Sequence, residues 1–186
     1  MKVLAVSGSL RVGSHNTSLL RAVAALAPPE VEVELWQGLR DVPPYDQDLD
    51  GVEPVPAAVA SFRDAVANAD ALLFATPEYN HSVPGALKNA LDWASRPHGS
   101  HPFTGKPVAV IGSSAGLFGA VWAQAELRKV LIAMGARVVD VELPIGQAQE
   151  KLDADGNLVD DELREKLAEV LELLLASATP ELAIAS

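Results

Sequence analysis

The chain has 186 residues, enough for one domain with a sizeable core over 1–186. Its composition, 49% apolar and 21% charged, is ordinary for a globular protein, and no apolar run reaches the ~18 residues of a membrane helix. A net charge of −11 argues against nucleic acid as a partner, and the absence of cysteine excludes disulfides and thiolate chemistry and fits a cytoplasmic protein.

In chain order, Lys2–Ser7 predicts a buried strand, with Val3, Leu4 and Val6 in one apolar run. A single Lys precedes that run and no cleavage-like stretch follows it, so it lacks the pattern of a signal peptide. Thr17 to Leu26 predicts a helix, capped by Asn16 or Thr17 and stopped at Pro28-Pro29. Val31–Leu35 alternates apolar residues with glutamates, as an edge strand does. Gln37 to Pro54 is a long loop, and loops of that length are often functional. A helix is expected over Val55–Asn68, a strand over Ala71–Ala75 and a helix over Pro84–Ala94. Then come a strand at Val108–Gly112, a helix at Ala120–Met134 ended by Gly135, and a strand at Arg137–Val141. The last helix, about Asp160–Ala176, puts Leu163, Leu167, Val170, Leu171 and Leu174 on one face. Strands alternating with helices in this way imply a doubly wound α/β fold, a five-stranded parallel sheet with helices on both faces. Ligands of such sheets bind beyond the carboxyl ends of the strands. Those ends lead here into Ser7–Asn16, Thr76–Ser82 and Ser113–Phe118.

The first of these loops has the chemistry of an anion site. The N–H groups of a helix's first turn and the positive end of its dipole converge on one spot. Ser7, Ser9, Ser14, Thr17 and Ser18 add hydroxyls, and Arg11 adds a planar fork suited to phosphate. Gly8 and Gly13 have the spacing of a nucleotide P-loop, but Ser14-His15 stands where Lys-Ser/Thr belongs, and no G-x-G-x-x-G occurs. A cradle for a monophosphate remains, alongside the plainer reading of a serine-rich turn. In the second loop Pro77 and Tyr79 offer flat apolar surface, and Asn80 with its neighbouring amides can meet the edge of a heterocycle.

Three motifs then stand in order: Gly8-Ser9-Leu10-Arg11-x-x-Ser14-x-Asn16, Pro77-Glu78-Tyr79-Asn80, and Pro84-Gly85-x-Leu87-Lys88-Asn89-x-Leu91-Asp92-Trp93. Together they resemble the NADPH-dependent FMN reductase family, which is flavodoxin-like and includes quinone, chromate and azo-dye reductases. The resemblance implies FMN as cofactor and NADPH (or NADH) as co-substrate. It implies that Ser9, Leu10, Arg11, Ser14, Asn16 and Thr17 surround the FMN phosphate. Pro77, Glu78, Tyr79 and Asn80 would lie along the flavin ring, and Ser113, Ser114 and Gly116 would close its other side. It implies a homodimer or homotetramer with the Gly85–Trp93 helix at an interface, although Leu87, Leu91 and Trp93 also suit ordinary helix packing. The activity implied passes hydride from NAD(P)H through FMN to a small acceptor: a quinone, free flavin, chromate or an azo compound. The cofactor carries that reaction, so no side chain is assigned as acid or base. The alternative is an FMN electron carrier that docks protein partners, which the acidic composition also suits.

Three further patterns compete for a role. Gly112-Ser113-Ser114-Ala115-Gly116 matches a nucleophile elbow, but a hydrolase of that type needs a later His and the last is His101. Lys151 to Glu162 has the spacing of a calcium loop with a cation at its first ligand position, and a polar turn before the last helix explains it better. His98-x-x-His101 has no acid or thiol beside it; with Arg96 it could meet the phosphates of NADPH.

Overall fold

The structure is a computed structural model that describes residues 1–179; the remainder of the domain expected over 1–186, at 180–186, lies outside the described residues. Strands β1 (Lys2–Ser7), β2 (Glu32–Trp36), β3 (Ala71–Thr76), β4 (Pro107–Ser113) and β5 (Arg137–Val138) pair in parallel in the order β2-β1-β3-β4-β5. This is the flavodoxin-like order, in which the chain reverses direction across the sheet at β1/β3. A sixth short strand, β6 (Pro144–Ile145), pairs with β4 beyond β5. Every residue of β3 and β4 is buried, as strands covered on both faces require. β2 at the edge buries only Trp36; Glu32 is exposed, and Val33, Glu34 and Leu35 are all half-buried, so the alternation in its sequence is muted in its burial.

Helices cover both faces. On one face α2 (Ala57–Asn68), α3 (Gly85–Ala94) and α4 (Val121–Ala133) pack around Phe62, Phe74, Leu91, Phe103 and Leu127. On the other, α1 (His15–Leu26) and α6 (Asp161–Ala178) pack around Leu19, Val23, Ile111, Leu167 and Leu171. Leu163, Leu167, Val170, Leu171 and Leu174 of α6 are all buried, so the periodicity read from the sequence is the packed face.

The structure corrects several boundaries. Ser14, not Asn16 or Thr17, caps α1: its hydroxyl accepts the Thr17 N–H at 3.3 Å and its carbonyl accepts that of Ser18 at 3.0 Å. The fifth strand, expected over Arg137–Val141, is split. The Arg128 guanidinium reaches from α4 to the carbonyls of Val139 (2.9 Å) and Val141 (2.7 Å), doing there what a sheet ladder would do. The chain rejoins β4 at Pro144. The long loop after β2 holds two 3-10 turns, Gly38–Asp41 and Gln47–Leu49, and a short helix α5 (Ala148–Lys151) precedes α6.

Leu87, Leu91 and Trp93 of α3 are buried within the chain, in the helix packing their spacing also suits. Both leucines are fully buried, and the Trp93 indole N–H donates to the Pro43 carbonyl at 2.9 Å. Tyr45 meets Trp93 edge-on at 5.2 Å, so the loop after β2 is pinned over α3. No helix among the described residues is long and apolar enough to cross a membrane.

Candidate active site

The carboxyl ends of β1, β3 and β4 converge on one cleft. Ser9, Arg11, Ser14, His15, Asn16, Pro77, Glu78, Tyr79, Ser113, Ser114 and Ala115 line it. Nine of these come from the residues singled out in the sequence; His15 and Ala115 are additions. Leu10, Asn80 and Gly116 stand in the same three loops, and Thr17 in the first turn of α1, all outside the lining.

Gly8 sets the first loop. A Cβ there would stand 2.9 Å from Leu87 Cδ2 and 3.3 Å from Pro77 Cδ, so glycine lets the β1 turn lie against α3 and the β3 loop without displacing the buried Leu87. The Gly8 N–H donates to the Ala75 carbonyl at 2.8 Å. Beyond it the hydroxyls are wired in series. Ser7 Oγ accepts from Thr17 Oγ1 (2.8 Å) and from the Ser9 N–H (3.4 Å), while Ser9 Oγ accepts from the Arg11 N–H (3.3 Å). Arg11 is exposed and folds back onto the Gly13 carbonyl at 3.2 Å. Arg40, from the first 3-10 turn, donates to the Leu10 carbonyl and fixes the loop from outside. The N–H groups of His15 and Asn16, first in α1, have no hydrogen-bond partner among the described residues. Burial, and then the charge of Arg11, holds the His15 imidazole below its usual 6.5. A neutral imidazole leaves Arg11 as the cation of the cradle.

The side chain of Asn16 is engaged within the protein. Its Nδ2 donates to the Ser113 carbonyl at 3.1 Å and its Oδ1 accepts the Ser113 N–H at 3.0 Å, both within the protein interior. The last β3–β4 residue pair is Thr76–Gly112, and Asn16 takes up the ladder one residue beyond it. The first and third loops are thereby clamped together. Ser113 itself is buried, and its Oγ has no partner among the described residues. A buried hydroxyl without a partner on a cleft wall implies a group that belongs there.

The second loop is tied to α4. Glu78 Oε2 accepts the N–H groups of Trp122 (3.0 Å) and Ala123 (3.1 Å). Tyr79, Phe118 and Trp122 leave aromatic surface exposed beside the cleft, with Phe118 and Trp122 centroids 5.2 Å apart.

The competing motifs are accounted for by local structure. Ser114 Oγ donates to the Gly116 carbonyl at 3.2 Å. Asp153 accepts the N–H groups of Asp155 (2.9 Å) and Asn157 (2.8 Å), and Lys151 pairs with Asp160, so the calcium-like stretch is a polar turn. Arg96 is held by the Tyr45 hydroxyl (3.1 Å) and by Asp50 (3.6 Å). With His98 it lines a separate cavity of about 440 Å³ that shares no lining residue with the cleft.

A phosphate-sized anion suits the free N–H groups at the head of α1 and Arg11, and the flat apolar surfaces of Pro77 and Tyr79 on the cleft wall suit a planar ring; this chemistry fits FMN. The Arg40 contact and the Glu78 cap escaped the sequence reading. A Glu opposite a helix start with Ala120 where a capping residue belongs was the available signal for the second.

Comparison with known proteins agrees with this geometry. The family model for NADPH-dependent FMN reductase matches residues 1–150. The chain is 46% identical to an NAD(P)H-dependent FMN reductase of Pseudomonas aeruginosa over 94% of its own length and 93% of that protein's. It is 41% identical to a 2-hydroxy-1,4-benzoquinone reductase of a Burkholderia species, covering 90% of each chain. Among solved structures it resembles the flavoenzyme NAD(P)H:(acceptor) oxidoreductase of Paracoccus denitrificans, with a TM-score of 0.83, 36% identity, and 95% and 96% of the two chains covered. The loops that meet at the cleft all lie within the matched residues, and the chain belongs to the NADPH-dependent FMN reductase family.

Proposed function

We propose that the protein reduces small quinones at the expense of NAD(P)H, with FMN held in the cleft at the ends of β1, β3 and β4. The observation that carries the reading is the junction of three loops around the buried, unpartnered Ser113 hydroxyl. FMN, when bound, supplies the two-electron chemistry, taking hydride from NAD(P)H and passing electrons to the acceptor. The residues supply binding and position. Arg11, the Ser9 and Ser14 hydroxyls and the His15 and Asn16 N–H groups would hold the phosphate, with Leu10 and Thr17 shaping the loop. Pro77, Glu78, Tyr79 and Asn80 would flank the ring on one side, and Ser113, Ser114 and Gly116 on the other. Asn16 would fix the width of the site through its clamp on Ser113.

The exposed aromatic rim of Tyr79, Phe118 and Trp122 supports a planar, uncharged acceptor over an oxyanion such as chromate. We place the protein in the cytoplasm on its lack of cysteine, and as a homodimer or homotetramer. The test is steady-state NADPH oxidation by the FMN-loaded protein with benzoquinone, chromate and an azo dye in turn. Turnover with benzoquinone well above the other two is expected. Faster turnover of chromate would remove the planar-acceptor reading, and no turnover with any would favour an electron carrier that docks proteins. Solution mass by light scattering checks the assembly, with a monomer as the contrary result.

A further inference from the structure

The β3–α3 loop contains two consecutive residues in the left-handed region, Asn80 (φ 53°) and His81 (φ 58°), neither of them glycine. Tyr79 and Ser82 exchange hydrogen bonds across them, N–H to carbonyl, at 3.3 and 3.1 Å. This is a two-residue turn of the primed kind, which needs φ > 0 at both central positions and most often places glycine at the second, where His81 stands. Contacts outside the turn add to its own two hydrogen bonds.

The start of α4 has the complementary problem. Ala120, at its N-cap, is itself left-handed (φ 61°), carries no capping side chain, and departs from the extended conformation of a self-capping helix. The cap comes instead from 44 residues away, through the two hydrogen bonds to Glu78 Oε2. The other carboxylate oxygen, Oε1, stands 3.6 Å from His81 Nδ1. The His81 ring in turn meets Trp122 edge-on, with centroids 4.6 Å apart and an interplanar angle of 86°. Glu78, His81 and Trp122 therefore close a circuit: carboxylate to helix, helix to indole, indole to imidazole, imidazole to carboxylate. The Glu78 side chain is 13% exposed, so little water competes for it.

We propose that Glu78 is a positioning residue whose carboxylate, by capping α4, locks the Pro77–Ser82 loop in the one arrangement that presents its backbone to the flavin ring. The inference rests on the flavin reading given above. Its chemical content is narrow. The Glu78 carboxylate is engaged by the first turn of α4, and what it would offer the ligand is the backbone it holds. A glutamate that served α4 alone would affect stability and nothing else. A glutamate that serves the loop affects FMN affinity as well.

Glu78→Ala and Glu78→Gln separate the two. The glutamine amide oxygen can accept both helix N–H groups, so it keeps the lock and removes the charge. FMN affinity is read by quenching of flavin fluorescence, and the rigidity of residues 78–82 by amide hydrogen exchange of the FMN-free protein. For Glu78→Ala we expect FMN binding weaker by about tenfold or more, with faster exchange at 78–82. Glu78→Gln should remain within about threefold of the wild type in affinity. A lower melting temperature for Glu78→Ala with unchanged FMN affinity would reduce Glu78 to a helix cap and overturn the proposal. If the wild type binds no FMN, the flavin reading falls, and exchange at 78–82 still decides whether Glu78 locks the loop. Should Glu78→Ala fail to fold, Glu78→Asp, one methylene too short for the helix, takes its place with the same expected results.

Discussion

Asn16→Ala removes the clamp between the first and third loops of the cleft. The wild-type amide makes two hydrogen bonds, to the N–H and the carbonyl of Ser113, at 3.0 and 3.1 Å. Asn16 is 3% exposed and Ser113 1%, so water has no ready route to the groups left behind. Each orphaned backbone group costs about 1–3 kcal/mol, so the pair costs about 2–6 kcal/mol. Alanine's better helix propensity returns at most ~0.7 kcal/mol. For a chain of this size the melting temperature should fall by ~2–4 °C per kcal/mol. Asn16→Asp is the informative companion. It keeps an acceptor for the Ser113 N–H but sets a carboxylate against the Ser113 carbonyl in place of a donor, and should be at least as damaging as alanine. The assay is urea unfolding of the FMN-free protein, followed by circular dichroism. A loss below ~1 kcal/mol for Asn16→Ala, or a stable Asn16→Asp, would refute the claim that this amide replaces the sheet ladder.

Other consequences can be checked as directly. Arg11→Ala should weaken FMN binding by about tenfold to a hundredfold while leaving the melting temperature of the FMN-free protein unchanged, because the Arg11 side chain is exposed and, among the described residues, hydrogen-bonds only the Gly13 carbonyl; equal flavin occupancy would take Arg11 out of the cradle. Gly119→Ala should prevent stable folding, since its φ is 58° and a Cβ would lie 2.3 Å from the Ile145 nitrogen, whereas Gly13→Ala meets nothing within 4 Å and should fold normally; equal yields of folded protein would contradict the packing described. Stability should decline as pH falls. Burial holds His15 and His101 below the usual 6.5, with Arg11 and His98 adding to it respectively, so the unfolded chain takes up protons first and stability is lost from about pH 7 downward. A second loss follows in acid. The hydrogen bond from Asn157 holds Asp153 low and that from Lys151 holds Asp160 low, so the stability they contribute, present above the usual 3.8, goes as pH falls below it. Melting temperatures that stay flat between pH 7 and pH 5 would contradict the histidine part of this account.

The sequence made the fold legible where patterning is strong. The apolar runs of β1, β3 and β4 and the leucine stripe of α6 have their expected bounds to within a residue or two, because burial on both faces or on one stripe leaves a direct mark on composition. β5 was less legible. Val138, Val139 and Val141 suit a strand, but the decisive group is Arg128 in α4, and a contact between separate elements leaves no local signature. Ser14 displaced Asn16 as the helix cap for a similar reason: Asn16 is already engaged with Ser113, 97 residues away. The cleft was largely legible because its loops carry Gly, Ser, Arg and aromatic residues at strand ends, where a doubly wound sheet binds ligands. What those side chains do was less so. Glu78, expected along the flavin ring, engages its carboxylate with α4, and Trp93, on the helix expected at an interface but equally suited to packing, donates to Pro43 within the chain. Sequence spacing shows which residues share a loop and leaves open which way each side chain turns.

The most direct test of the account is an absorbance spectrum of the purified protein loaded with FMN, before and after anaerobic addition of NADPH. We predict a bound-flavin spectrum, shifted from that of free FMN, that bleaches on addition of NADPH and recovers when benzoquinone is added. Failure to retain FMN would contradict the assignment of the β1, β3 and β4 loops as its site, and bound FMN that NADPH leaves unbleached would contradict the reductase activity proposed for it.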